Sequence, residues 1–164
     1  MNNFSIISHS TDETIEIAKK ISNCFSIGDI IILEGYLGTG KTHFVKGIAK
    51  GLKSKKNVTS PTFNIANFYD SENNQIIHID LYRIETLEEL IDLGLNDYFD
   101  NVIVFVEWGE KFIDYFDDYL KISFEKNEND DRIISFDSNS EKYEDKLTKI
   151  SETLFYISTE IVSS

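Results

Sequence analysis

The segment Gly35-Tyr36-Leu37-Gly38-Thr39-Gly40-Lys41-Thr42 decides the fold of this chain. Its letters fit the spacing G-x-x-x-x-G-K-S/T of a phosphate-binding P-loop. The apolar run Asp29–Glu34 precedes it and predicts a buried strand, and Lys41–Leu52 follows with apolar side chains at helical spacing. Strand, glycine-rich turn and helix come in the order that a P-loop requires, a context that a chance match in a glycine-containing loop would lack.

The residue types of this segment suit a phosphate ligand. Glycines at 35, 38 and 40 allow a tight turn and a close approach of the backbone to an anion. The exposed N–H groups and the positive end of the helix dipole would then face the phosphates. Lys41 adds a positive charge for the β- and γ-phosphates, and the Thr42 hydroxyl is suited to ligate Mg²⁺. We therefore expect nucleotide binding.

Length and composition limit the classes of protein. The 164 residues predict a single domain, 1–164, and a 41% hydrophobic content argues against disorder. The net charge of −13 argues against a broad nucleic-acid-binding surface, which needs a lysine- and arginine-rich face. The one basic cluster is interpreted as a solvated helix end rather than a nucleic-acid contact. It contains Lys46, Lys50, Lys53, Lys55 and Lys56.

Cysteine content and hydropathy indicate a cytoplasmic protein. Cys24 is the only cysteine, so a disulfide framework and a cysteine zinc cluster are both excluded, and we expect this side chain in the core. Met1–Phe4 lacks a charged region followed by an apolar run, and no stretch of about 18 apolar residues is present. The sequence therefore predicts a soluble, cytoplasmic chain without a membrane partner.

The remaining chain predicts an α/β fold: a mixed central sheet whose parallel core strands are flanked by helices and antiparallel hairpins. The predicted strands are Phe4–Ser8, Asp29–Glu34, Asn64–Tyr69, Gln75–Tyr82, Val102–Val106, Tyr119–Glu125 and Arg132–Phe136. Capping boxes open helices at Ser10 and Thr86, the second with Leu87, Leu90 and Ile91 on its apolar face. Further helices are predicted at Lys41–Leu52, Lys111–Tyr115 and Ser140–Leu154.

Two acids follow predicted strands and are candidates to complete the site. Asp80 ends the strand from Gln75, and Glu107 follows the apolar run Val102–Val106. Acids at the carboxyl ends of strands point into the ligand crevice of an open α/β sheet, where a P-loop NTPase holds Mg²⁺ or orients water. A solvated strand end is the alternative for either acid. His78 shares a face with Asp80, and we expect it to be packed and hydrogen-bonded.

Three other features remain open from the residues alone. The segment Thr59–Phe63, built around Pro61, is suited to sense a γ-phosphate, but its local chemistry favours an ordinary hydroxyl-rich loop. Trp108 either covers the site or a partner surface, or belongs to the core. Arg132 has no composition-based indication of a role at the nucleotide.

Four stretches together resemble the bacterial TsaE family, also called YjeE. They are GYLGTGKT at Gly35–Thr42, TSPTF at Thr59–Phe63, HIDLYR at His78–Arg83 and VEWGE at Val106–Glu110. The resemblance covers about residues 5–137 and implies a P-loop NTPase fold. One departure is Gly109, where the family commonly has proline or alanine.

The resemblance also implies site residues, which we state as expectations. Lys41, Asp80 and Glu107 would be catalytic, with Thr42 and Glu107 holding Mg²⁺ and Thr62 in a switch-like segment. The expected ATP-binding residues are Thr11, Gly35, Leu37, Gly38, Thr39, Gly40, Lys41, Thr42, Thr62 and Arg132.

The activity that the resemblance implies is hydrolysis of ATP during threonylcarbamoyl modification of the adenosine beside the tRNA anticodon. The expected partners are TsaB and TsaD, which would stimulate a low intrinsic rate, with tRNA met only through their complex. A small-molecule kinase is the alternative, although such kinases usually carry an arginine-rich lid and this chain has only Arg83 and Arg132. A nucleotide-dependent docking switch without turnover is a third hypothesis.

Overall fold

The computed structural model describes residues 3–163 of the chain, with side chains described for residues 3–155. Met1, Asn2 and Ser164, which belong to the predicted domain, lie outside this description. The strands are β1 (Phe4–Ser8), β2 (Ile30–Glu34), β3 (Ala66–Asp70), β4 (Gln75–Asp80), β5 (Ile103–Glu107), β6 (Leu120–Lys126) and β7 (Arg132–Ser138). The α-helices are α1 (Thr11–Ile21), α2 (Lys41–Gly51), α3 (Leu87–Asp92) and α4 (Glu144–Ser163).

All seven strands form one mixed sheet in the order β1-β7-β6-β2-β5-β4-β3. The four central strands β6, β2, β5 and β4 are parallel neighbours. The outer pairs β1–β7, β7–β6 and β4–β3 are antiparallel. The prediction of parallel core strands with flanking hairpins is confirmed.

Two layers of side chains cover the sheet, because alternate residues of each buried strand point to opposite faces. One face packs against α1, α2 and α4, with Phe44, Phe105 and Leu147 in its core. The other packs against α3 and short 3₁₀ segments, with Ile77, Val104 and Leu90 in its core. The continuous apolar run of β5 serves both layers, as expected of a strand covered on both sides.

Close packing of α1 on α2 brings the start of α1 to the P-loop. A Cβ atom at Gly47 would lie 2.3 Å from the carbonyl oxygen of Ile15 and 2.6 Å from the Cβ of Ala18. Only glycine allows the two helices to approach this closely. At the other end of α2, the position of a Cβ on Gly40 is 3.7 Å from Cγ2 of Thr14. The N-terminal turn of α1 is therefore held beside the loop.

The predicted apolar face of α3 is only partly correct. Leu90 is buried, but Leu87 and Ile91 are 48% and 53% exposed. With only six residues, the helix covers the sheet with one side and cannot bury both flanking positions.

Several boundaries also differ from those predicted. Strand β3 begins at Ala66 rather than Asn64, because Ile65 has a positive φ of 66° and donates to the carbonyl of Pro61 in a turn. The C-terminal helix extends to Ser163, beyond the predicted Leu154, after a 3₁₀ turn at Glu141–Tyr143.

Cys24 is buried, as predicted. Among the described residues, no helix has both the length and the apolar character that crossing a bilayer requires.

Candidate functional site

The P-loop connects β2 to α2 and forms one wall of a cleft of about 230 Å³, called here the P-loop cleft. Gly38 and Gly40 have φ angles of 78° and 109°, a region that side-chain-bearing residues rarely adopt. A Cβ at Gly35 would lie 2.6 Å from the carbonyl oxygen of Phe124 on β6. The cleft is lined by Leu37, Gly38, Gly40, Lys41, Thr42, His43, Ser60, Thr62, Asp80, Glu107, Trp108 and Arg132.

Lys41 is nearly enclosed at the base of this cleft. Its Nζ donates to the carbonyl of Gly35 and lies 4.3 Å from the ring centroid of Trp108. Burial lowers the pKa of the Lys41 ammonium, and the nearby carboxylates, led by Glu107, oppose that change. The ammonium group of Lys41 therefore lies at the end of the P-loop, near the carboxylates of Glu107, Glu110 and Asp80.

Thr42 on α2 and Glu107 at the end of β5 meet in the P-loop cleft, although 65 positions separate them in sequence. The Thr42 hydroxyl donates to Oε1 of Glu107 at 3.2 Å. Burial by itself would raise the pKa of Glu107, but the surrounding His78, Lys41 and Thr42 hold it below the usual value. The carboxylate is therefore ionised at neutral pH despite being almost fully buried.

The oxygen atoms of Thr42 and Glu107 fit Mg²⁺. This ion prefers oxygen ligands, takes few of them from protein and completes its shell with water and phosphate oxygens. Residues 3–155 contain no group of three or more acidic, histidine or cysteine side chains arranged to hold a metal by themselves.

Asp80 lies beside Glu107, because β4 and β5 are parallel neighbours in which these two residues are in register. Its Oδ2 accepts a hydrogen bond from the Thr62 hydroxyl at 3.0 Å, and its Oδ1 accepts one from the backbone N–H of Tyr82 at 2.9 Å. The segment Thr59–Phe63 thus reaches an acid of the cleft, which its local chemistry alone did not indicate.

Arg132 and Thr11 meet beside Gly40 of the P-loop. The Arg132 guanidinium donates to the Thr11 hydroxyl at 3.2 Å, across 121 positions of sequence. The Nε atom of Arg132 is buried without a hydrogen-bond partner among the described residues, and it lies 3.6 Å from the position of a Cβ on Gly40. Arg132 lines the cleft directly, whereas Thr11 reaches it only through Arg132.

Two other predicted P-loop residues differ in exposure. Leu37 is 77% exposed at the tip of the loop and lines the cleft. Thr39 is buried, and its hydroxyl donates to the carbonyl of Tyr36 at 2.7 Å. Its side chain therefore closes the loop, and its hydrogen is already used within the protein.

Trp108 is half-buried and covers the site rather than joining the core fully. Its backbone adopts a positive φ of 60°, which turns the chain sharply just after Glu107. Its ring packs against Tyr82, with 5.1 Å between centroids, and against Lys41. The guanidinium of Arg83 stacks over the ring of Phe63, 4.4 Å from its centroid.

Lys111 was not predicted from the sequence. Its ammonium donates to three backbone carbonyls, those of Leu81, Tyr82 and Ile84, at 3.1, 2.6 and 3.3 Å. Lys111 therefore connects the loop Leu81–Ile84 to the 3₁₀ segment Gly109–Tyr115 that follows β5. The acceptors are backbone atoms 27 to 30 positions away, so no side-chain pattern in the sequence marks this contact.

His78 is fully buried, as expected, but the expectation that it is hydrogen-bonded is wrong. Its Nε2 lies 3.6 Å from Oε2 of Glu107, and neither ring nitrogen has a hydrogen-bond partner among the described residues. Its neighbours in register are Asn67 on β3 and Phe105 on β5. The Asn67 amide is hydrogen-bonded elsewhere, to Asn64 and to the carbonyl of Thr59.

Comparison with known proteins identifies relatives across most of the chain. Residues 8–134 match the family described as threonylcarbamoyl adenosine biosynthesis protein TsaE. A Bacillus subtilis protein with the name tRNA threonylcarbamoyladenosine biosynthesis protein TsaE is 38% identical over 81% of this chain and 84% of its own length. The protein of the same name from Aquifex aeolicus is 38% identical over 65% of this chain and 77% of its own length.

Two further comparisons concern coverage and fold. The Rickettsia felis protein of that name is 36% identical over 64% of this chain, and the match spans only 62% of its own length. The solved structure of Bacillus subtilis YdiB superposes with a TM-score of 0.75 at 30% identity, covering 92% of this chain and 95% of YdiB.

Proposed function

Because the chain belongs to the TsaE family, which acts in tRNA threonylcarbamoyladenosine biosynthesis and has a P-loop NTPase fold, we propose that it hydrolyses Mg²⁺-bound ATP in that pathway. The observation that carries this proposal is the contact between the Thr42 hydroxyl and Glu107 beside Lys41. These groups are the P-loop hydroxyl, the strand-end acid and the lysine that phosphoryl transfer needs at one place.

The binding step rests on the loop and its helix. The backbone N–H groups of Gly38 to Thr42 and the positive end of α2 face the β- and γ-phosphates. Lys41 leaves the Gly35 carbonyl and places its ammonium on the phosphate oxygens. Arg132, held by Thr11, supplies a second cation beside Gly40.

In the hydrolytic step, the chain's acids hold and orient the reactants. Thr42 and Glu107 are the residues that would hold Mg²⁺, and the ion would supply neutralisation of charge on the phosphate oxygens. Asp80 accepts a hydrogen bond from the attacking water, since its donors Thr62 and Tyr82 already keep the carboxylate in place. Thr62 belongs to a segment that responds to the γ-phosphate.

The remaining parts of the proposal concern partners. We propose that the chain works on a complex of TsaB and TsaD, that these proteins raise a low intrinsic rate, and that tRNA is met only through the complex. We place this activity in the cytoplasm. The net charge of −13 is consistent with a protein that associates with other proteins and does not bind RNA by itself.

The test is phosphate release from ATP and Mg²⁺ by the purified chain, alone and with TsaB and TsaD added. We expect a low rate that rises with the partners and is lost in Lys41→Ala and Glu107→Gln. Lys53→Ala, at an exposed position outside the cleft, is the control and should behave as the unmodified chain.

Other outcomes would point to the alternatives. A rate unaffected by TsaB and TsaD, but raised by a small phosphate acceptor, would favour a small-molecule kinase. Modification of tRNA that survives a hydrolysis-deficient variant with intact nucleotide binding would favour a docking switch.

A further inference from the structure

The buried imidazole of His78 faces one oxygen of Glu107, while the Thr42 hydroxyl occupies the other. Nε2 of His78 lies 3.6 Å from Oε2, and the Thr42 hydroxyl lies 3.2 Å from Oε1. The carboxylate is thus bracketed from two sides by groups on β4 and α2. Among the described residues, Thr42 is the one side chain that donates a hydrogen bond to Glu107.

The position of His78 follows from the alternation of β4. His78 lies on the face that carries Ile76 and Asp80, the same face that α2 covers. On the neighbouring strand β5 it is in register with Phe105, and Glu107 is two residues further along. Diagonal neighbours on one face of adjacent strands are within reach of long side chains.

A histidine at this position requires an explanation. Ile76, Ile77 and Ile79 of the same strand are all buried apolar residues, and His78 itself has no exposed surface. Burying an imidazole without hydrogen-bond partners is unfavourable compared with burying another isoleucine. Packing of the sheet therefore does not account for the residue type.

We propose that His78 is a positioning residue for Glu107, an inference that rests on the proposed role of Glu107 at Mg²⁺. An ionised carboxylate only accepts hydrogen bonds, so the Nε2 atom facing it must carry a hydrogen. His78 then directs the orientation of one carboxylate oxygen, and Thr42 that of the other. Glu107 is left with its remaining lone pairs toward the P-loop cleft, where the ion would lie.

This arrangement predicts that His78 controls binding of the ion and not of the nucleotide itself. Groups that orient a metal-ligating side chain typically change metal affinity by about 10- to 100-fold when they are removed. In the described structure no hydrogen bond or ion pair joins His78 to the P-loop backbone or to Lys41. Nucleotide bound without the ion should therefore be unaffected.

Three substitutions separate this role from a purely structural one. His78→Leu removes both nitrogens and keeps an apolar volume. His78→Asn places its amide nearest the former Nδ1 position, which is turned away from Glu107. His78→Gln extends an amide donor to about the former Nε2 position and is the conservative variant expected to rescue binding.

The experiment measures Mg²⁺ affinity of the full chain at saturating AMP-PNP, and AMP-PNP affinity in EDTA. We expect His78→Leu and His78→Asn to weaken Mg²⁺ binding roughly tenfold or more. AMP-PNP affinity in EDTA should remain unchanged, and His78→Gln should recover most of the lost Mg²⁺ affinity. Urea unfolding of each variant is measured in parallel, so that every change in Mg²⁺ affinity can be compared with any change in the free energy of unfolding.

Several results would overturn the inference. Unchanged Mg²⁺ affinity in His78→Leu and His78→Asn would do so, as would a glutamine variant no better than the asparagine variant. A parallel loss of stability and of AMP-PNP affinity in EDTA would instead indicate a structural role. Glu107→Gln, measured alongside, separates failure of the His78 inference from failure of the proposed Glu107 role. If this variant also binds Mg²⁺ normally, the proposed role of Glu107 fails and not only that of His78.

Discussion

The ammonium group of Lys41 lies 4.3 Å from the ring centroid of Trp108, sandwiched between that ring and the carbonyl of Gly35. In the proposed nucleotide complex, phosphate oxygens would compete with the Trp108 ring and the Gly35 carbonyl for this ammonium group. The contact joins the first residue of α2 to the residue after β5. It therefore links occupancy of the P-loop to the segment that carries Glu107.

A fluorescence change on nucleotide binding is the first prediction. Trp108 is the only tryptophan in the chain, so the tryptophan emission comes from this one ring, which contacts Lys41 and Tyr82. Adding MgATP should shift the emission of the unmodified chain, and Lys41→Met should lose the shift and lower hydrolysis by about 10²- to 10³-fold. An identical shift in Lys41→Met would show that the emission does not report on the ammonium.

The hydroxyl of Thr62 should matter for turnover rather than for nucleotide affinity. Thr62→Val removes the hydrogen bond to Asp80, and a hydrogen bond to a charged group contributes about 1.5–3 kcal/mol, so kcat should fall on the order of 10- to 100-fold. Thr62→Ser keeps the hydroxyl and is the matched control. Steady-state kinetics with ATP measures both, and an equal loss in the serine variant would contradict the role assigned to the hydroxyl.

Close packing of α1 on α2 predicts a stability effect at Gly47. Gly47→Ala forces a methyl group against the Ile15 carbonyl, and overpacking of this kind typically costs about 1–3 kcal/mol. Thermal unfolding should show a decrease of about 2–4 °C per kcal/mol for a chain of this size. Lys50→Ala, on the exposed side of α2, should change the midpoint little. A melting curve of Gly47→Ala that superposes on the original would show that the helices can separate at no cost.

The ion pair between His9 and Asp131 predicts two shifted titrations. Hydrogen bonding to Asp131, 3.0 Å away, raises the pKa of His9 above 6.5, and the same contact lowers the pKa of Asp131 below 3.8. For His9 the contribution to stability is present below its ordinary pKa and is lost as pH rises through the raised pKa. For Asp131 it is present above the ordinary pKa and is lost as pH falls through the lowered one.

The pair therefore stabilises the fold between the lowered pKa of Asp131 and the raised pKa of His9. NMR titration of the His9 ring should give a midpoint above 6.5, and Asp131→Asn should bring it down. Asp130→Asn, at the neighbouring exposed acid that pairs with Lys126 and not with His9, is the matched control and should leave the His9 midpoint where it is. A His9 midpoint that does not respond to Asp131→Asn would exclude the ion pair in solution.

Much of the fold was predictable because its determinants are local. The capping boxes at Ser10 and Thr86 both form, with the cap side chain accepting from the N–H three residues later. The apolar run ending at Val106 is a central parallel strand, as its lack of alternation indicated. Helix α3 was predicted correctly in position but not in its buried face, since burial depends on what the rest of the chain places beside it.

The site was predictable in part for a similar reason. Periodicity identified Asp80 and Glu107 as strand-end acids, and motif spacing identified Lys41 and Thr42. Nothing local indicated Arg132, which only the resemblance to the TsaE family brought into consideration. Neither local sequence patterns nor the family resemblance predicted the Lys111 contacts. Their acceptors are backbone carbonyls, which every residue has, so no residue type marks them.

The sequence by itself determined the strand, turn and helix that hold residues 30–51, because φ preferences of glycine and hydrophobic periodicity act over a few neighbouring residues. Only the tertiary structure decided which acid faces Thr42, that Arg132 reaches Thr11, and that His78 lies against Glu107 without other partners. These relations depend on the order and register of the seven strands, which set distances between residues 29 to 121 positions apart. Local propensities do not encode that register; it results from the joint packing of both faces of the sheet.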